Sequence, residues 1–132
     1  MSRKPKILVI EDNPVNFRLL SVFLEEAGFD IIHAEEGYKG LEIVTAQPDI
    51  NAILLDRILP DLDGLEVLKS LKKGKSARIP VIMLTAALST AQIADVMLYG
   101  TYACLPKPYD KEKIIGTLRK AVEEYAGGRR NS

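Results

Sequence analysis

Hydrophobic positions gather in short runs at residues 7–10, 31–34, 52–55, 81–84 and 103–105, and between the runs apolar residues return at helical spacing. A run of this length bounded by turn formers is the pattern of a buried strand, while returns every three to four residues mark one face of a helix. The alternation predicts five strand-then-helix units.

The first helix is the best marked. Asp12 or Asn13 can cap it, Pro14 suits its first turn and Gly28 follows its last periodic residues, so a helix is expected over 14–27. Further helices are expected over 38–46, 65–72, 90–98 and 111–125, with Ser89 or Thr90 and Asp110 as caps. Residues 1–5 and 126–132 fall outside the pattern and are expected to be flexible, which leaves one domain over 6–125.

Parallel neighbours need crossover connections of about the length seen between these runs, so the fold class is α/β with helices on both faces of a parallel sheet. Runs one, three and four are continuously apolar, as central strands buried on both faces are. Run two contains His33, and run five ends at Pro106, a residue tolerated at sheet edges and strand termini. Edges at two and five give the doubly wound, flavodoxin-like order 2-1-3-4-5, a five-stranded sheet with five helices. Its ligand crevice opens at the carboxyl ends of strands one and three.

Composition narrows the function classes. The 132 residues are 47% hydrophobic and 27% charged, the balance of one folded domain. Eighteen basic residues offset eighteen acidic ones, so the long-range attraction of a nucleic-acid binder is missing and no direct nucleic-acid partner is expected. The longest nearly apolar stretch, 79–88, is broken by Pro80 and Thr85 and is too short to span a bilayer. Arg3, Lys4 and Lys6 precede only four apolar residues, too few for a secretory signal, and a cytoplasmic location is expected. The single cysteine, Cys104, excludes an internal disulfide and reads as a small core residue.

The chemistry is concentrated just after the strands. Glu11 and Asp12 come after the first, Asp56 after the third, Thr85 after the fourth, and Lys107-Pro108 after the fifth; the inferred topology brings all of them to one crevice. Two carboxylates about 5 Å apart repel by roughly 3 kcal/mol at an effective dielectric near 20, so three of them call for a counter-charge or a shared proton. Lys107 supplies one positive charge. The oxygen-only ligand set suits Mg²⁺, which keeps several waters and takes one or two carboxylates. A carboxylate beside Mg²⁺, an ammonium and a hydroxyl is equipped to attack a phosphoryl group, with Asp56 as the nucleophile.

The motifs Ile7-Leu8-Val9-Ile10-Glu11-Asp12-Asn13, Asp56-Arg57-Ile58-Leu59-Pro60-Asp61-Leu62-Asp63-Gly64, Thr85-Ala86 and Lys107-Pro108, in this order and spacing, resemble the receiver domain of bacterial two-component response regulators, the CheY-like family. The resemblance covers about residues 6–125. It implies that Asp56 accepts a phosphoryl group from a phosphohistidine of a histidine kinase or histidine phosphotransfer protein, in a Mg²⁺-dependent reaction. Glu11, Asp12, Asp56 and the backbone carbonyl of Ile58 are then the metal site, with Glu11 acting through water. Thr85 and Lys107 bind phosphoryl oxygens, and the switched form regulates a downstream output protein. The Lys107-Pro108 bond is expected to be cis, and no catalysis beyond the domain's own phosphorylation and dephosphorylation is implied.

Gly64 and Pro60 read as turn residues, with positive φ available to Gly64. Cys104 stands three residues before the lysine, where most receivers carry Tyr or Phe; Tyr102 or Tyr99 is the candidate substitute. Ile58 and Ala87 flank the site. Helix one is broadly apolar, and Phe17 is its candidate partner contact; His33 reads as structural.

Alternatives within the family are a receiver excised from a larger hybrid kinase or regulator, and a phosphorylation-independent binding module with the receiver fold. A flavodoxin-like cofactor binder needs a phosphate-cradling loop after strand one, where Glu11-Asp12-Asn13-Pro14 would repel a phosphate. An aspartate-nucleophile phosphohydrolase needs an acid two residues after the nucleophile, where this chain has Ile58.

Overall fold

The structure, a computed structural model, describes residues 4–86 and 89–130, the last four through their backbone alone. Strands and helices alternate as β1 (Lys6–Ile10), α1 (Pro14–Glu26), β2 (Asp30–Ala34), α2 (Gly37–Ala46), β3 (Ala52–Asp56), α3 (Gly64–Leu71), β4 (Val81–Thr85), α4 (Thr90–Leu98), β5 (Ala103–Pro106) and α5 (Lys111–Arg130), with a 3-10 helix (Gly74–Arg78) between α3 and β4. All neighbouring strands are parallel, and the sheet order is β2-β1-β3-β4-β5. The expected order and edges are borne out.

The central strands β3 and β4 are buried at every position, whereas β2 and β5 are largely half-buried. Alternate residues of each strand feed opposite faces, as the two-residue period of a strand requires. Leu8, Ile10, Ile53, Leu55 and Met83 join Val44, Val67, Leu68 and Val96 on the side of α2, α3 and α4. Ile7, Val9, Leu54, Ile82 and Leu84 join Leu20, Leu24, Ile114 and Leu118 on the side of α1 and α5.

Local signals set the helix starts. Asn13 caps α1 through its side chain, accepting from Asn16 N–H at 2.9 Å. Ser89 opens α4 with a reciprocal capping box to Gln92, and Asp110 accepts from Lys113 N–H at 3.1 Å at the start of α5.

Three expectations need correction. Helix α5 continues to Arg130, past the expected end at Tyr125 and through Gly127-Gly128, because extending an existing helix adds a hydrogen bond for each residue fixed. Residues 1–3 and 131–132 lie outside the described residues. Gly64 is not a positive-φ glycine; it is needed because a Cβ there would sit 2.5 Å from the Asp56 carbonyl oxygen and 2.8 Å from Arg57 Cα. Phe17 is not turned outward: its ring stacks on His33 with centroids 3.5 Å apart, and Val15 and Leu19 are the exposed large apolar residues of α1.

Candidate functional site

The carboxyl ends of β1 and β3 are adjacent, so the residues that end them meet. Glu11 follows β1 and is buried, Asp12 is exposed beside it, and Asp56 ends β3 in a buried position. One carboxylate oxygen from each of the three lies within 4.8 Å of the other two. Lys107, delivered by the end of β5, places its Nζ 3.0 Å from Asp56 Oδ1, and the Lys107-Pro108 peptide bond is cis.

Thr85 is the last residue of β4 and is buried. It lies one step beyond Leu84, the register partner of Asp56, and its carbonyl accepts from Lys107 N–H at 2.7 Å. Ile58 turns its amide towards Asp56 Oδ1 at 3.4 Å, while its side chain is 74% exposed. The loop is closed behind it by a bridge between Ile58 and Asp63, an Arg57 Nε–Asp63 Oδ1 ion pair of 3.2 Å and a Gly64 N–H donated to Arg57 O at 2.6 Å. Ala87 lies outside the described residues.

The electrostatics arise from crowding. Burial and the neighbouring Asp56 carboxyl push Glu11 up to about 7, against the opposing bonds from the Tyr109 hydroxyl and the Asn13 amide. Tyr109 donates to Glu11 Oε1 at 2.8 Å, and Asn13 N–H to Oε2 at 3.3 Å. Burial, then Glu11 itself, raises the Tyr109 phenol well above its ordinary value. Three carboxylates thus face one ammonium. Three acids that bring oxygens within 4.8 Å of one another carry more negative charge than Lys107 alone offsets, and an oxygen-only donor set of this kind fits a hard divalent cation.

Two contributors escape a reading of the sequence. Tyr109 touches Glu11 across 98 residues of chain, and no local pattern announces such a contact. Asp61 accepts from the amides of Gly37 and Tyr38 at 2.8 and 2.9 Å, capping α2 from the loop after Asp56. The signal available in the sequence was an acid in that loop; in the structure Glu36, the residue at the cap position of α2, makes no side-chain capping bond.

Neither tyrosine offered as a substitute for an aromatic at position 104 is idle. Tyr102 donates its hydroxyl to Glu124 at 2.7 Å, and the Tyr99 ring carries the Lys69 ammonium 4.6 Å from its centroid. Cys104 is half-buried, and burial pushes its thiol up.

Comparison with known proteins agrees with this geometry. The sequence matches the response regulator receiver domain family over residues 7–119. It is 40% identical over 120 residues to the DNA-binding dual master transcriptional regulator RpaA of Synechocystis sp., a match covering 87% of this chain and 48% of that protein. The fold superposes on a response regulator receiver domain protein from Clostridium thermocellum with a TM-score of 0.85 at 26% identity, covering 91% of this chain and 95% of that one. A sensor protein from Polaromonas sp. JS666 matches with a TM-score of 0.85 at 27% identity, covering 93% and 99%. The chain therefore belongs to the response regulator receiver family and has the receiver fold of two-component signalling proteins. It spans about half the length of RpaA, and among the described residues no helix is long and apolar enough to cross a membrane.

Proposed function

We propose that this receiver is a phosphoacceptor switch in which Asp56 takes a phosphoryl group from a phosphohistidine. The observation that carries the reading is the Lys107 ammonium 3.0 Å from a buried Asp56, with Glu11 and Asp12 carboxylates within 4.8 Å. An Asp56 oxygen attacks phosphorus, the phosphorus–nitrogen bond to the donor imidazole breaks, and the imidazole leaves with the electron pair and takes up a proton. Lys107 offsets charge on the transferred oxygens. Glu11, Asp12, Asp56 and the Ile58 carbonyl would hold Mg²⁺, which when bound neutralises the acids and the incoming phosphoryl group.

Thr85 supports the switching half of the reading. Its hydroxyl is the donor that β4 brings to this edge of the sheet, and closing it onto a phosphoryl oxygen draws in the loop leading to α4. That helix has Ile93, Met97 and Leu98 exposed, a surface suited to a downstream protein. The donor is a histidine kinase or phosphotransfer protein, the compartment is the cytoplasm, and no outside substrate is turned over, since Ile58 offers no acid two residues after the nucleophile.

Incubation with acetyl phosphate and Mg²⁺, followed by intact mass measurement, tests this. One added phosphoryl group, lost in Asp56→Asn and in EDTA, is expected. An unmodified wild-type protein that still binds Mg²⁺ would favour a phosphorylation-independent binding module.

A further inference from the structure

His33 lies on the edge strand β2 and carries none of the chemistry proposed for the site, yet its ring is fixed on two sides. One face stacks on Phe17 of α1, with centroids 3.5 Å apart and planes 8° from parallel. At the ring's edge, Nε2 lies 2.8 Å from the Glu11 carbonyl oxygen. A carbonyl oxygen only accepts, so Nε2 carries the proton and donates it.

The bond falls where the sheet stops supplying donors. Glu11 N–H still donates to Ala34 O at 3.0 Å, but β2 ends at Ala34. A continued parallel ladder would bring the next amide from further along that strand. The His33 side chain takes its place. Residue 11 is thereby gripped at its amide by Ala34 and at its carbonyl by His33. The same ring braces α1, so the turn through Glu11, Asp12 and Asn13 is held both where it leaves β1 and where it enters the helix.

We infer that His33 is a positioning residue for the acidic site: its Nε2–H bond to the Glu11 carbonyl and its stack on Phe17 hold the Glu11-Asp12 turn in the geometry that binds a divalent cation. This rests on the reading of Glu11, Asp12 and Asp56 as the cation site. Three carboxylates drawn together repel one another and, unless the backbone behind them is held, relax apart before a metal arrives. Bonds made directly to a metal-ligating side chain are typically worth ten- to a hundredfold in metal affinity, and a bond to the backbone behind one is expected at the lower end of that range.

Mg²⁺ titration by calorimetry of the full chain tests the inference, using wild type, His33→Phe and His33→Gln, with nitrogen NMR of the His33 ring in the metal-free protein. His33→Phe keeps an aromatic ring for Phe17 and loses the N–H; His33→Gln keeps an N–H and loses the ring. The expected results are an Nε2–H tautomer in wild type, about tenfold weaker Mg²⁺ binding in His33→Phe, titrated at a temperature where unfolding in EDTA shows the variant still folded despite the stability that a lost hydrogen bond costs, and substantial recovery in His33→Gln. An Nδ1–H tautomer, or wild-type affinity in His33→Phe, overturns the positioning role alone. Absence of Mg²⁺ binding in wild type overturns the cation site and the positioning role together.

Discussion

The Tyr109 hydroxyl donates to Glu11 Oε1 at 2.8 Å, tying the loop that opens α5 to the acid that follows β1. Because the bond favours the ionised carboxylate, it opposes the burial and the Asp56 charge that push Glu11 up to about 7. Tyr109→Phe removes that opposition. Glu11 then holds its proton to higher pH, so Mg²⁺ binding at pH 7 weakens, and the folded state loses about 1.5–3 kcal/mol from a bond to a charged group. Metal titration and urea unfolding of the variant check both effects, and unchanged Mg²⁺ affinity at pH 7 would contradict the first.

Glu11 also makes the metal-free protein sensitive to pH. An acid whose pKa rises on folding favours the fold fully below its ordinary value of 4.5 and loses that contribution as pH climbs through about 7. Thermal unfolding in EDTA should therefore show wild type losing stability relative to Glu11→Gln between pH 5 and pH 8. Mg²⁺ requires the deprotonated carboxylate, so its stabilising shift grows over the same window. Parallel pH profiles for the two proteins would count against this assignment.

Gly64 meets the Asp56 backbone too closely for any side chain, with a Cβ position 2.5 Å from the Asp56 carbonyl oxygen. Gly64→Ala is expected to cost about 1–3 kcal/mol through overpacking, and to displace the Asp56 loop enough to slow phosphorylation. Urea unfolding alongside the rate of modification by acetyl phosphate reads both. A variant as stable and as reactive as wild type would show that the loop yields freely.

Asp61 caps α2 by accepting from Gly37 and Tyr38 N–H. Those amide bonds hold its carboxyl below the usual range although burial acts the other way. Asp61→Ala is expected to cost about 1 kcal/mol, the usual worth of a side-chain cap. Faster amide exchange in the first turn of α2, with the sheet unaffected, is the expected signature.

Much of the molecule was legible in the residue pattern because parallel strands impose strong constraints. The apolar runs at 52–55 and 81–84 are central strands, and His33 and Pro106 marked the two edges. Once the order 2-1-3-4-5 was inferred, the residues after strands one, three, four and five had to converge, which is why Glu11, Asp12, Asp56 and Lys107 were found together. What the pattern hid depends on contacts distant in sequence or on backbone proximity. Tyr109 and Asp61 act on residues 98 and 23–24 positions away. Gly64 answers to the neighbouring strand end rather than to its own φ, and the 3-10 helix at Gly74–Arg78 is too short to show a period. Phe17 fits an outward-facing role by composition, and only the fold puts His33 beneath its ring.

Reductive trapping reads out whether Asp56 is the acceptor. After reaction with acetyl phosphate and Mg²⁺, borohydride converts an aspartyl phosphate to homoserine, and peptide mass mapping locates the change. Homoserine at position 56, absent without Mg²⁺, is the predicted result. Reduction at another acid, or none despite a phosphorylated protein, would place the acceptor away from Asp56.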